Sequence, residues 1–254
     1  RYAFRLRRDG KEVIMRLTVL GKYGPFPKSG GATSGYLLEA GNKKIVLDLG
    51  TGIFSRLENI IAPESADAIV ITHFHFDHAS DAPIFAYYLQ QLENRNLFYK
   101  KIKLFCPKSD SPLCKAVCAF RYFDVQFVEE EEYFFDGLKL SFYHMKHPEL
   151  CYGVKISDGE KAFAYTGDTN ECPSVEKLFK GSDFVVADGG LLERDRNENS
   201  PHLSIEKCVE YGKKSNVKTI ISHINPLYSE AEILKSAGID ERWKIAEEGN
   251  CYVF

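Results

Sequence analysis

A chain of 254 residues that is 44% hydrophobic and 27% charged has the make-up of an ordinary globular protein, long enough to bury a large core. Its net charge of -3 leaves no global excess of Lys and Arg to grip a phosphate backbone, which argues against a nucleic-acid partner short of a local basic patch. No apolar run approaches the roughly 20 residues that span a bilayer, so no membrane-spanning helix is expected.

Arg1 to Ile14 mixes Arg and Lys with Asp9 and Glu12 and lacks the apolar core of a signal peptide. Tyr2 to Leu20 reads as two strands about Asp9-Gly10, an extra N-terminal hairpin; Met15 is an equally good start, with the first strand then an extension. Met15 to Leu20 runs into a Gly/Pro-rich loop, Gly21 to Ser34. Tyr36 to Glu39 and Lys44 to Leu49 form a hairpin, and the second strand delivers Asp48 ahead of a helix, Ile53 to Ile61. A carboxylate closing an apolar strand needs partners, either as a cap for that helix or as a group orienting other side chains.

Ala68 to Ile71 is a buried strand leading into Thr72-His-Phe-His-Phe-Asp-His78. Asp81 to Asn94 follows as a helix with an apolar face at Ile84, Tyr87, Tyr88 and Leu92. Lys103 to Cys106 is a strand, Ser111 to Phe120 a helix, Val125 to Val128 a strand, and Glu129 to Glu132 a solvated turn. Leu138 to Tyr143 is a strand that delivers His144 and His147; Tyr152 to Ser157 and Lys161 to Tyr165 pair about Asp158-Gly159. The later half continues as helix Ser174 to Lys180, strand Phe184 to Asp188, helix Ile205 to Ser215, strand Val217 to Ser222, helix Glu230 to Ala237 and strand Cys251 to Phe254. Strands alternate with helices and polar residues fall just past strand C-termini, where open α/β sheets build their sites. Seven cysteines show no Cys-x-x-Cys spacing. Cys114 and Cys118 are expected to share a helix face as small buried groups, and reduced thiols point to the cytoplasm.

Three histidines and one aspartate within six positions, His73 to His78, are the residue types that borderline divalent metals prefer. Along an extended segment His73 and His75 point the same way and can pinch one ion, while Asp77 and His78 at the following turn face a second. His147, His202 and His223 lie beyond strands or in loops of the later half, as does Asp168 in a Gly-Asp turn; His144 continues its strand's alternation and reads as structural.

The ordered set His73-x-His75-x-Asp77-His78, His147, Asp168 and His223, with Asp48 upstream, resembles the metallo-β-lactamase superfamily from Met15 to the last strand. The resemblance implies an α/β fold, a four-layer αββα sandwich whose two similar halves form one domain over residues 1–254. It implies two divalent metal ions, Zn²⁺ with Mn²⁺ as the alternative. His73, His75 and His147 would hold the first ion, Asp77, His78 and His223 the second, and Asp168 would bridge them. Asp48 would orient these ligands, and Asp77 is counted with His202 among the catalytic residues.

Asp168 stands where secreted β-lactamases of this fold have Cys, and His75 is intact where the flavodiiron branch has Glu. The loop Gly24 to Ser34 and His202-Leu-Ser204, 21 residues before His223, are similar to ribonuclease Z and its small phosphodiesterase relatives, in which the histidine equivalent to His202 acts beside the scissile phosphate. Only 21 positions separate His147 from Asp168, which leaves no room for the tRNA-gripping arm, and Ala187-Asp188 replaces that enzyme's His-Glu pair. The implied activity is therefore hydrolysis of a small or cyclic phosphodiester by a metal-bridging hydroxide, with His202 stabilising charge or protonating the leaving oxygen. The partner would be a small-molecule substrate rather than tRNA or a membrane, with a homodimer left open. Carboxyl-ester hydrolysis by a lactonase or thioesterase is the main alternative; tRNA 3′-processing and a non-catalytic metal-binding module rank below it.

Overall fold

The computed structural model describes residues 14–238 and 240–254, so the first strand expected before Asp9-Gly10 lies outside the described residues. Two seven-stranded sheets face each other. The first contains β1 (Met15–Gly21), β2 (Gly35–Ala40), β3 (Lys43–Leu47), β4 (Ala68–Val70), β5 (Ile102–Pro107) and β6 (Phe123–Val128), and β14 (Cys251–Val253) closes its edge beside β1. The second contains β7 (Glu132–Phe135), β8 (Leu138–His144), β9 (Tyr152–Ser157), β10 (Ala162–Tyr165), β11 (Phe184–Asp188), β12 (Lys218–Ser222) and β13 (Trp243–Ile245).

Each half opens with antiparallel hairpins and then turns parallel, from β3 to β6 and from β10 to β13. Parallel neighbours need crossovers, and helices supply them. These are α1 (Ile53–Glu58), α2 (Phe76–Ala79) with α3 (Ala82–Asn94), and α4 (Pro112–Cys118) in the first half. In the second they are α5 (Pro173–Phe179), α6 (Ile205–Ser215) and α7 (Glu230–Ala237).

Three apolar cores separate the four layers. The central one interleaves both sheets, with Leu17, Tyr36, Leu38, Ile45 and Val70 from one side and Leu140, Phe142, Val154, Ile156 and Phe163 from the other. Alternate strand residues face outward instead, so Leu37, Val46, Ile69 and Leu104 pack under α1, α3 and α4, and Val185, Ala187 and Ile221 pack under α5 and α6. Full burial of one such aliphatic side chain contributes about 1.5–3 kcal/mol.

Several expectations were incomplete. The strand β7 grows out of the acidic turn, which ends at Glu131, and β13 was not foreseen because Trp243–Ile245 is too short to show a period. The face of α3 was half right: Tyr88 and Leu92 pack at the margin of the core and Ala82, Phe85, Ala86 and Leu89 are buried, whereas Ile84 is 48% and Tyr87 56% exposed. Both stripes are apolar, and the one carrying two alanines lets the helix lie close against the sheet. Cys118 is only half-buried, unlike Cys114.

Candidate metal centre

The parallel strands β3, β4, β10, β11 and β12 run out along one edge of the sandwich, and each leaves a ligand-type residue just past or at its C-terminus. From β3 comes Asp48; from β4, the segment His73 to His78; from β10, Asp168; from β11, Asp188; from β12, His223. His147 arrives on the β8–β9 connection. That connection is laced to the loop after β10, because Lys146 and Asn170 form a β-bridge and Thr169 Oγ1 accepts from Lys146 N at 3.2 Å. Tyr152 N donates to Thr72 O at 3.0 Å, which joins the halves at the motif itself.

The motif is not a continued strand. The ladder ends at Val70, and Asp77 and His78 lie on the single turn α2. His73 is fully buried and His75 exposed, yet their rings meet edge-on at 4.7 Å. Ligand atoms of His73, His75, His147 and Asp168 lie within 4.8 Å of one another, and so do those of Asp77, His78, Asp168 and His223. Asp168 belongs to both groups. A third group of the same compactness joins Asp168 and His223 to His202 and Asp188.

Buried partners fix which ring nitrogen faces inward. His78 Nδ1–H donates to Asp48 Oδ2 at 2.7 Å, and His147 Nδ1–H to the Glu149 carbonyl at 3.1 Å. Thr72 Oγ1 donates to Asp48 and lies 3.2 Å from His73 Nδ1. Nε2 of each ring is thereby left for the centre, the arrangement by which outer partners orient metal-binding imidazoles. Asp48 has no helix-capping role: α1 starts at Gly52 without a side-chain cap, and the carboxylate instead accepts from Thr72 N (2.8 Å), Tyr165 Oη (2.8 Å) and His78. Asp48 and His223 both sit at left-handed φ, 57° and 56°. Such backbone costs about 1–3 kcal/mol per residue and persists where surrounding contacts enforce it.

The donor set fits a metal. His73 Nε2 and His78 Nε2 are buried with no hydrogen-bond partner. His78 Nε2 comes within 3.1 Å of Asp168 Oδ1 but without hydrogen-bond alignment, and His73 Nε2 is 3.7 Å from Asp168 Oδ2. Unpaired inward nitrogens beside carboxylates are costly unless a cation fills the space between them. The electrostatics agree. Burial disfavours charge on Asp168, yet the His223 and His78 rings hold it well below the usual carboxylate range. Asp168, Asp48 and Asp77 conversely outweigh burial at His78 and raise it well above an ordinary imidazole. Burial, with the neighbouring His78 ring, pushes His73 well below.

Asp188, left without a role by sequence reasoning, is the chief addition. Its carboxylate accepts from Thr169 N and Gly190 N, both at 2.9 Å, and from His202 Nδ1 at 3.0 Å. Burial opposes protonation of His202, but the Asp188 charge outweighs it and raises the ring's pKa. His202 stacks on His223 at 4.7 Å, placing it beside the second ligand group. The available signal was that Asp188 ends an apolar strand, as Asp48 and Asp168 nearly do. Thr72 and Tyr165, which anchor Asp48, carried no such signal.

An αββα sandwich with a His/Asp cluster of this kind along one edge defines a metal-dependent hydrolase. The chain belongs to the metallo-β-lactamase superfamily: the family described as "Beta-lactamase superfamily domain" matches residues 43–224. It is 23% identical over 223 residues to "Probable metallo-hydrolase YhfI" of Bacillus subtilis, covering 83% of this chain and 87% of that one. The crystal structure of YhfI matches with a TM-score of 0.88 at 20% identity, over 95% of this chain and all of that one (100%). Ribonuclease Z of Thermococcus sibiricus is 21% identical over 88% of this chain and 90% of its own. The crystal structure of a diphosphatase from the PhnP family has a TM-score of 0.70 at 20% identity, over 95% of this chain and 97% of that one. No helix among the described residues is long and apolar enough to cross a membrane.

Proposed function

We propose that the protein hydrolyses a small or cyclic phosphodiester at a dinuclear centre in which His73, His75 and His147 hold one divalent ion, Asp77, His78 and His223 hold the other, and Asp168 bridges them. The observation that carries the reading is the Asp188–His202 pair set against the shared Asp168. Charge supports more than one ion: with Asp188 paired to His202, Asp48, Asp77 and Asp168 remain as three buried carboxylates, more than a single divalent cation would balance. Zn²⁺ suits this nitrogen-rich set, with Mn²⁺ as the alternative. When bound, such a pair supplies Lewis acidity at phosphorus and lowers the pKa of water towards ~7.

The chain's residues do the rest. Asp48 fixes the His78 ring, and the Glu149 carbonyl fixes His147. Asp188 keeps a proton on His202 Nδ1, so that Nε2 can protonate the leaving oxygen or stabilise its charge. Asp77 would act as a ligand beside His223, whose Nε2 lies 3.1 Å from its Oδ2. Two relatives whose names describe a ribonuclease and a diphosphatase act at phosphorus, which favours phosphoryl over acyl chemistry here. The β9–β10 hairpin occupies the stretch between His147 and Asp168, and the net charge is -3, so a small molecule is preferred over tRNA. We assign the whole chain to one domain and the protein to the cytoplasm, consistent with seven unpaired thiols.

The test compares a chromogenic phosphodiester with a lactone and a thioester on metal-loaded protein, alongside His202→Ala. The expected result is turnover of the phosphodiester, reduced roughly 10²–10⁴-fold in the variant with metal content unchanged. Faster turnover of the lactone or thioester, indifferent to His202, would establish the carboxyl-ester alternative.

A further inference from the structure

Away from the His/Asp cluster, three thiols gather at the seam between β5 and α4. Cys118 Sγ lies 3.9 Å from Cys106 Sγ and 4.0 Å from Cys114 Sγ. Cys106 and Cys114 are buried, whereas Cys118 is half-buried on the last residue of α4. Cys114 and Cys118 also line a surface groove of about 630 Å³ together with Lys108, Lys115 and Phe127. The half-buried sulfur therefore sits in contact with two buried ones, at the edge of a groove that also carries Asp110, the ion-pair partner of Lys115.

The proton inventory follows the same geometry. Hydrogen bonding from Cys106 and from Cys114 outweighs burial at Cys118 and brings its thiol down to about 7. Burial and the neighbouring Cys118 raise Cys114 to about 11, and the contact with Cys118 together with burial raises Cys106 far more. Of the two thiols that line the groove, the half-buried Cys118 is the one whose contacts favour the thiolate.

We propose that Cys118 is a two-electron oxidation site for hydroperoxides, with Cys106 as its resolving thiol. The Cys118 thiolate attacks the distal oxygen of ROOH; an S–O bond forms, the O–O bond breaks, and ROH leaves after taking up a proton. The Cys106 sulfur then attacks the Cys118 sulfenic acid. An S–S bond forms, the S–O bond breaks, and the departing hydroxide takes the Cys106 proton as water. In sum, two thiols and one hydroperoxide give one disulfide, one alcohol and one water.

Cys114 is a poor resolving partner despite its similar distance. Residues four apart on one helix keep their Cβ atoms about 5–6 Å apart, beyond the roughly 3.5–4.5 Å that a disulfide spans. Cys106 approaches from the sheet, and Cys118 ends its helix, so the last turn of α4 can close on β5 without unwinding.

Trypsin cleavage after Lys103, Lys108, Lys115 and Arg121 puts Cys106, Cys114 and Cys118 on separate peptides, 104–108, 109–115 and 116–121. Hydrogen peroxide at stoichiometric concentration on the full chain should remove the mass of two hydrogens and link peptides 104–108 and 116–121. Cys106→Ser should stop at a dimedone-reactive sulfenic acid on Cys118, and Cys114→Ser should retain the link. As a measurement on unaltered protein, Cys118 at pH 7 should alkylate with iodoacetamide several-fold faster than the more exposed Cys251, because its contacts with Cys106 and Cys114 favour the thiolate. Oxidation of Cys251 or Cys172 ahead of Cys118, or a 109–115 to 116–121 link in place of the expected one, would overturn the proposal.

Discussion

Replacing Asp188 by Asn keeps the side chain's shape and removes its charge. In the native chain one Asp188 oxygen accepts from both Thr169 N and His202 Nδ1, while the other accepts from Gly190 N. An amide can accept at one position only, so its NH₂ group must face either the Gly190 N–H or the Thr169 N–H and the His202 ring. A hydrogen bond to a charged group contributes about 1.5–3 kcal/mol, so its loss at the point of proton transfer corresponds to about a 10- to 150-fold fall in kcat/KM. The pH profile carries a sharper signature. Because Asp188 raises the pKa of His202, the ring keeps its acidic form to higher pH, and activity that needs that form falls as pH rises through the pKa. In Asp188→Asn the ring gives up its proton sooner, so the alkaline limb should move to lower pH while the acid limb stays. Steady-state rates on a phosphodiester across pH, with bound metal and thermal midpoint measured in parallel, provide the assay. An unmoved alkaline limb in a folded, metal-replete variant would refute the assignment of His202 as the acid and of Asp188 as its positioning residue.

Asp168→Ala should strip metal from both ligand groups, whereas His75→Ala should lower the content of only one; elemental analysis after dialysis distinguishes the two, and equal losses would contradict a bridging role. Gly24→Ala should cost activity on the order of 10²-fold, because the added Cβ would stand 2.1 Å from the His223 ring and must displace it; kcat/KM together with metal content reads the effect. Tyr165→Phe should destabilise the fold by about 1–3 kcal/mol in chemical denaturation, since its hydroxyl donates to the fully buried Asp48 carboxylate from the opposite sheet.

The candidate ligand set was legible in the chain because metal chemistry restricts residue type severely. Few side chains besides imidazole, carboxylate and thiolate suit such ions, so His73, His75, Asp77, His78, His147, Asp168 and His223 stood out before any folding was considered, and the structure draws them into two groups sharing Asp168. Strand and helix order was legible for a related reason: buried parallel strands must be apolar and their crossovers amphipathic, which left Ile205–Ser215 and Glu230–Ala237 readable to the residue. Where two apolar stripes competed, as on α3, the sequence held both answers and only packing against the sheet chose Phe85 over Ile84 and Tyr87. Tertiary structure likewise decided what Asp48 and Asp188 do, since an aspartate at a strand end serves equally as a cap or an anchor until its partners arrive. Those partners, Tyr165 for the one and His202 for the other, lie 117 and 14 residues away in the chain. The three thiols of Cys106, Cys114 and Cys118 meet for the same reason: a cysteine carries no periodic signal across the strand-to-helix turn that brings β5 beside α4. Residue chemistry marked which side chains could serve a metal site, and the closing of two sheets over one core determined which of them touch.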